Sequence, residues 1–235
     1  MINALKKFLF NNLNDSNRAA WIAAKLKETP KGYRILDAGA GELRYKPYCA
    51  HLDYISQDFC QYDVKGDGTG LTQEKWDTSR IDIVCDITSI PLPNSSFDSI
   101  LCTEVLEHVP EPTKALDEFD RLLKPNGRLI LTAPFASWVH MAPYHFSSGF
   151  SRFWYVHHLE KRGFRIEELT PNGDWFAFFQ QDLMSLGSFA RKYGDWSWPL
   201  AYVLAIFGAL YFKIRGGKPA DDIACFSWLC VAVKI

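Results

Sequence analysis

Several things are scarce in this sequence, and each scarcity narrows its function. Charge of one sign is not in excess: 26 basic residues face 27 acidic ones for a formal net charge of −1. A chain so balanced has no field to draw in a nucleic-acid backbone, so a small molecule or a lipid surface is the expected partner. No linker rich in Pro, Gly and Ser divides the 235 residues, and a chain of this length buries a core large enough for a single domain spanning 1–235. The six cysteines, Cys49, Cys60, Cys85, Cys102, Cys225 and Cys230, contain no Cys-x-x-Cys pair and lie mostly in apolar runs. Reduced, buried thiols are therefore expected, which suits a cytoplasmic protein, and neither a structural zinc site nor any other metal site is expected. The start, MINALKKFLFNN, has two lysines and a short apolar patch but no small-residue cleavage site, so it does not read as a signal peptide.

Between these absences the chain alternates strand-like and helix-like segments. Leu5, Phe8, Leu9 and Leu13 recur at helical spacing and predict an amphipathic helix over 2–13. A second helix follows a cap at Asp15 or Ser16 and stops at Pro30, completing N-terminal helices over 1–30. The run YRILDAGAGE, residues 33–42, is a buried strand that breaks into a glycine turn, with a helix predicted from about Leu43. DYISQDF and IDIVCDI are the second and third strands, separated by a polar, glycine-containing excursion over 61–79. Asp98 to Cys102 is the fourth strand, Pro112 to Leu123 a helix, and PNGRLILTAPF a turn and fifth strand, which completes a core over 33–135. A loop and helix over 136–162, the sixth strand FRIEELT, an apolar helical insertion over 175–214 and the final strand DIACFSWLCVAV complete the chain. This alternation predicts an α/β fold, a doubly wound and mostly parallel seven-stranded sheet of Rossmann-like form, with the last strand antiparallel.

Three acids, Asp37, Asp58 and Asp86, end three successive strands. In a doubly wound sheet those ends converge on one crevice. Asp58 follows Asp37 by about 20 residues, the distance at which such folds set a carboxylate on a ribose diol. A nucleoside cofactor is expected. The turn Gly39-Ala40-Gly41-Glu42-Leu43-Arg44 lacks the third glycine of a dinucleotide fingerprint. Glu42 would also stand where a pyrophosphate needs free N–H groups, at the start of the predicted helix. A cationic cofactor without phosphates, S-adenosyl-L-methionine, fits such an acidic pocket better than NAD.

ILDAGAGE, Asp58, Asp86-Ile87, FDSILCTEVLEHV and LLKPNGRLILTAPF also occur in the order of the motifs of class I S-adenosylmethionine-dependent methyltransferases, and residues 33–135 resemble the small-molecule group called methyltransferase type 11. The resemblance implies that Asp37, Ala38, Gly39 and Gly41 form the methionine-side loop, that Asp58 takes the ribose, and that Asp86 and Ile87 flank the adenine. Thr103 and Glu104 would border the methionine end. Two positions depart from the family pattern: Leu43 stands where a third glycine or small residue is usual, and Gln57 replaces the usual aliphatic residue before the second-strand acid.

Aromatic residues make up 15% of the chain and crowd the part after Phe135, where an acceptor pocket is expected. Methyl transfer from a sulfonium needs alignment and exclusion of water, and a base only where the acceptor must lose a proton. His140, Tyr144 and His145, on the loop after the fifth strand, are the candidates for that role; the alternative is that they shape the pocket or cap the following helix. His108 reads as a local hydrogen-bonding residue. The uncharged run Trp196 to Phe212 is short for a bilayer span, and reads first as a buried helix and second as an interfacial segment, with Lys213, Arg215 and Lys218 beside it. The expected function is methyl transfer to oxygen of a small-molecule acceptor, be it a sugar, lipid-linked or aromatic, in a cytoplasmic protein with a peripheral membrane contact through 196–218 as the open option. The alternatives are a non-catalytic cofactor-binding or membrane-recruitment module and, against Glu42, an NAD-dependent oxidoreductase.

Overall fold

The structure, a computed structural model, describes residues 13–62, 69–71, 76–215 and 223–235. The helix expected over 2–13, much of the excursion over 61–79 and Lys218 lie outside the described residues. Seven strands form one sheet: β1 (Arg34–Ala38), β2 (Asp53–Asp58), β3 (Ile83–Val84), β4 (Phe97–Thr103), β5 (Leu123–Pro134), β6 (Phe164–Asn172) and β7 (Ser227–Lys234). Their order is β3-β2-β1-β4-β5-β7-β6, so the chain winds outward from β1 to one edge and then crosses back. Strands β1 to β5 pair parallel, and β7 lies antiparallel against β5 from Arg128↔Val233 to Pro134↔Ser227. The expected sheet is present, with β7 placed inside β6.

Helices α1 (Leu13–Glu28), α2 (Pro112–Leu122) and α3 (Arg152–Glu160) accompany the sheet. Ile22 and Leu26, one turn apart on α1, are fully buried against Ile35, Tyr45, Cys49, Leu101 and Ile130. Each such side chain contributes about 1.5–3 kcal/mol on burial. Helix α2 places Leu116, Phe119 and Leu122 at the same helical period, and all three are fully buried. Ser151 caps α3 by accepting from the Trp154 N–H. All six cysteines are free thiols, four of them buried.

No α-helix follows β1. Residues after Gly41 run through turns, with Leu43 at φ +63, into a 3-10 helix over Lys46–Cys49 that has Pro47 in its first turn. The connection to β2 is too short, and interrupted by that proline, for the α-helix expected from Leu43.

The chain divides into two compact units. Ala19–Thr170 with Ser227–Ile235 hold nearly all of the sheet, and the described residues before Ala19 and between Pro171 and Phe226 form the other. The second unit is built on α4 (Trp175–Lys192) and α5 (Trp198–Arg215). Asp174 caps α4 by accepting from the Ala177 N–H at 2.9 Å. The two helices pack antiparallel through small residues: Gly187 lies under the Tyr202 ring, where a Cβ would come within 2.4 Å, and Gly208 meets Leu183. Ala205 and Ala209 are fully buried on the same side of α5. Tyr202 and Phe212 also face α4, while Leu200, Leu204, Phe207 and Ile214 are exposed. The buried-helix reading of 196–212 is thereby corrected, because α5 is covered on one side and leaves large apolar residues exposed on the other. No described helix is long and apolar enough to cross a membrane.

Asp37 is an acid inside this core. It is 2% exposed, and its Oδ2 accepts from the Tyr54 hydroxyl at 2.7 Å. Burial pushes its carboxyl up to about 7, the charge of Asp58 adds to this, and the Tyr54 bond opposes it. The unfolded chain releases this proton near the ordinary value of 3.8, the folded chain near 7. Between those values the folded state holds the extra proton, so Asp37 costs stability as pH rises through the window. Asp37→Asn removes the dependence. Measured by urea unfolding from pH 4 to 7, the variant is expected to gain on the natural protein by about 1.4 kcal/mol for each pH unit. Parallel stability curves for the two proteins would show that Asp37 is not protonated in the fold.

Candidate active site

The end of β1 is laced to the end of β2. The Gly39 and Ala40 N–H groups both donate to the Gln57 carbonyl, at 2.9 and 3.0 Å. The Gly41 N–H donates to Asp58 Oδ2 at 2.9 Å, and the Cys60 N–H to Asp58 Oδ1 at 2.9 Å. Gly39 has φ +78, and a Cβ there would stand 2.4 Å from a methyl of Val105, so no other residue fits this turn. Val105 comes from the loop after β4, which brings that loop onto the turn. Gln57, one of the two departures from the family pattern, donates its amide to the Cys85 carbonyl at 2.7 Å and so ties β2 to the chain leaving β3.

Glu42 does not stand at a helix N-terminus, because no α-helix begins there. Its Oε1 accepts from the Asp77 N–H at 3.3 Å. With no helix N-terminus there, what Glu42 sets against a pyrophosphate is its acidic side chain alone. Trp76 flanks Gly41, with ring atoms 3.6 Å from where a Cβ would be. Its aromatic neighbour Tyr62 lies 5.7 Å away between ring centroids.

Past β3 the chain turns at Asp86, whose Oδ1 accepts from both the N–H and the hydroxyl of Thr88, at 2.8 Å each. Asp86 is exposed and Ile87 is buried beside it. Helix α2 fixes this segment. Glu118 Oε1 accepts from the Ile90 N–H at 2.6 Å, and Arg121, itself paired with Glu118, donates to the Ile90 and Leu92 carbonyls. Register brings the pieces to one end of the sheet: Ala38 is opposite Gln57, and Asp58 is opposite Val84.

On the other side of β1, Thr103 ends β4 opposite Thr132 of β5. Glu104 follows at φ +53; its N–H donates to the Thr132 carbonyl, and its Oε1 accepts from the Thr132 hydroxyl at 2.9 Å. A 3-10 turn over Leu106–His108 comes next, and the loop after β5 is stapled to it. The Glu107 carbonyl accepts from the N–H groups of Phe146 and Ser147, and the Tyr144 carbonyl lies 2.5 Å from His108 Nδ1. The Tyr144 ring packs edge-on against Phe59, directly after Asp58, with centroids 5.0 Å apart.

These staples bring His140 and His145 together, with ring centroids 4.9 Å apart, and add His108 at 4.7 Å from His140. His108, read from the sequence as a local bonding residue, does make that bond and also belongs to this cluster. LEHV lies some 30 residues before the loop, so only the pairing of β4 with β5 reveals the meeting. His140 Nδ1 lies 2.8 Å from the Trp138 carbonyl. Burial pulls His108 down to about 4, against the Tyr144 carbonyl bond, and burial with the nearby His140 ring also lowers His145. Both are uncharged at neutral pH.

The residues present suit S-adenosylmethionine. Each oxygen of Asp58 accepts one backbone N–H and keeps a second acceptor position, so the carboxylate can still take a diol. The turn above it permits close backbone approach, Ile87 offers an apolar flank, and the acids beside it favour a cation.

Against known proteins, residues 36–131 match the family model described as a methyltransferase domain. The chain is 35% identical over 103 residues to the demethylmenaquinone methyltransferase of Renibacterium salmoninarum, an alignment covering 43% of this chain and 40% of that one. It is 40% identical over 118 residues to a ubiquinone biosynthesis O-methyltransferase of Xanthomonas oryzae pv. oryzae, covering 49% and 48%. The chain thus spans less than half the length of these curated relatives. Among solved structures, a putative sarcosine dimethylglycine methyltransferase from Galdieria sulphuraria superposes with a TM-score of 0.55 at 17% identity, over 92% of this chain and 83% of that one, a likeness of fold. Motif order, sheet order and the family match agree that residues 36–131 carry a methyltransferase domain of the class I, S-adenosylmethionine-dependent kind.

Proposed function

We propose that this chain binds S-adenosylmethionine over the Gly39–Gly41 turn and transfers its methyl group to an oxygen of a small-molecule acceptor held by the loop after β5. The observation that carries the reading is the lacing of that turn to Asp58, which presents a ribose-binding carboxylate beneath a backbone that admits no side chain at Gly39. The cofactor, when bound, supplies an electrophilic methyl on a cationic sulfur. Asp58 accepts the ribose hydroxyls, Asp86 and Ile87 flank the base, and Asp37, held by Tyr54, supports the turn from within the core. Ala38 and Gly41 give backbone, and Thr103 with Glu104 border the methionine end. The name of the Xanthomonas relative specifies O-methyl transfer, which supports oxygen as the acceptor atom.

The histidine cluster handles the acceptor's proton. A carbonyl only accepts, so the proton of His140 sits on Nδ1, bonded to Trp138, and Nε2 keeps its lone pair for an acceptor hydroxyl. His145 stands beside it as the second candidate. Tyr144 acts on the cofactor side, through its ring on Phe59 and its carbonyl on His108, and so positions the loop.

The exposed apolar side of α5 supports a peripheral contact with a lipid surface in the reach of 196–218, the place where a lipid-linked acceptor would be met. Nothing in the balanced charge of the chain favours nucleic acid.

Three measurements test these assignments. Titration calorimetry is expected to show S-adenosylmethionine binding to the natural protein and a loss of about 1.5–3 kcal/mol in Asp58→Ala, two hydrogen bonds to a charged group being removed; equal binding by both proteins rejects the ribose role. With an acceptor found by mass profiling for a gain of one methyl group, the double variant His140→Ala, His145→Ala is expected to lose 10²–10⁴-fold in kcat, the usual size of acid–base catalysis. An unchanged rate and pH profile removes both histidines from proton transfer. Flotation with liposomes is expected to carry the natural protein upward and to leave behind the variant Leu204→Ser, Phe207→Ser; equal flotation of the two would discard the lipid contact.

A further inference from the structure

We propose that His108, His140 and His145 bind one divalent transition-metal ion, zinc by their chemistry, with a fourth position open toward the acceptor. The inference rests on the proton-handling role given above to the cluster and moves that role from a free imidazole to an ion that the imidazoles hold, while its geometry is independent of methyl transfer.

One nitrogen from each of the three rings lies within 4.8 Å of the other two. In a tetrahedral zinc site, with Zn–N bonds of about 2.0–2.1 Å, ligand nitrogens stand about 3.4 Å apart, so the rings close by a little over 1 Å on the ion. That movement is within the reach of small χ rotations on a surface loop. The tautomers are already those a metal requires. His108 Nδ1 faces the Tyr144 carbonyl and His140 Nδ1 faces the Trp138 carbonyl; each must carry the proton, and each ring therefore presents Nε2 with its lone pair. A ligating histidine whose other nitrogen donates to a backbone carbonyl is the arrangement by which proteins orient such rings.

His145 provides the independent observation. Both of its ring nitrogens are buried and neither has a hydrogen-bond partner among the described residues. An imidazole buried with two unanswered nitrogens is unfavourable unless something absent from the protein chain meets one of them. The neighbouring rings, His140 and His108, offer lone pairs, which could take the N–H of His145 but leave its own lone pair unanswered. A cation between the rings answers all three. The Glu107 carboxyl, 3.7 Å from His108 Nε2, stands ready to offset the ion's charge. Imidazole ligands suit zinc among the available divalent ions, and three histidines with one position left over is the pattern of sites that keep a place for water or substrate.

The cysteine spacing excluded a thiolate site and is silent on this one, because its ligands come from two segments joined only through β4 and β5. In chemical terms the ion would lower the pKa of an acceptor hydroxyl bound at the open position, releasing its proton to solvent or to a base before the oxygen attacks the methyl carbon. The metal keeps its oxidation state, and the C–O bond forms as the C–S bond breaks.

The test uses the full chain stripped with EDTA and titrated with zinc against a chromophoric chelator. One equivalent bound with sub-micromolar affinity is expected, with affinity falling at least tenfold in each of His108→Ala, His140→Ala and His145→Ala. S-adenosylmethionine binding is read on the same samples, so a variant that keeps the cofactor and loses zinc is folded. Asp58→Ala is expected to do the reverse, which separates failure of this inference from failure of the cofactor reading. Cobalt substitution of the natural protein decides the ligands without any variant: visible bands of a nitrogen-ligated ion are expected, and a thiolate charge-transfer band overturns the proposal. Binding below one equivalent, or equal binding by the three histidine variants, also overturns it.

Discussion

Asp58 holds the glycine turn by accepting the Gly41 N–H on one oxygen and the Cys60 N–H on the other, while the carbonyl before it takes the N–H groups of Gly39 and Ala40. Three backbone donors that would otherwise lack partners at the end of β1 are answered by two residues of the neighbouring strand. The turn can then stay open above. Gly39, at φ +78 with Val105 against its Cα, lets the loop after β4 close on the same point. Were the turn held by its own helix, as in dinucleotide folds, the carboxylate would be free of it. Here the residue proposed to take the ribose is also the one that shapes the turn, so on that proposal binding and loop order are coupled.

The same economy extends along the strand ends. β4 passes its register to β5 at Thr103↔Thr132, and the Glu104–Thr132 bonds fix the point where both chains leave the sheet. From there the 3-10 turn at Leu106–His108 holds the loop through Glu107 and His108. His108 and His140 are each oriented by a ring nitrogen set on a main-chain carbonyl of the loop after β5. Asp37 is the counterweight. Its buried carboxyl, raised to about 7, is carried inside the core at a stability cost that grows with pH, a cost that groups near functional sites often carry.

Most of the sheet was legible because its signal is local. Apolar runs bounded by glycine and proline mark β1, β2, β4, β5, β6 and β7, and the helices α1, α2 and α3 declare themselves by caps and by apolar residues one turn apart. Of the three acids expected at strand ends, Asp58 ends β2 and Asp37 is the penultimate residue of β1, while Asp86 lies two residues past the short β3. The helix after Leu43 was misread because a glycine turn after a strand predicts one, whereas Pro47 and the short return to β2 forbid it. The face of α5 was misread because composition counts apolar residues without saying where they point. Ala205, Gly208 and Ala209 lie on its packed side with Tyr202 and Phe212, and Leu200, Leu204, Phe207 and Ile214 are left outside by the close approach that the small residues permit. His108 could not be joined to His140 and His145 from spacing, since nothing in the chain between them marks the meeting.

A fold of this class fixes where a cofactor sits far more tightly than what it acts on. The strand ends carry the cofactor residues, and these are rigid, parallel and shared. The side proposed for the acceptor is the segment from Phe135 to Phe150, a loop held at a few backbone points and rich in rings. Specificity in such a site resides in loop contacts, which evolve without disturbing the sheet. That division explains why the family match ends at residue 131, just before this loop begins. What sets this chain apart is therefore concentrated in the histidine-bearing loop, and a cluster of three imidazoles there changes the chemistry available to the acceptor while leaving the cofactor's seat as it is.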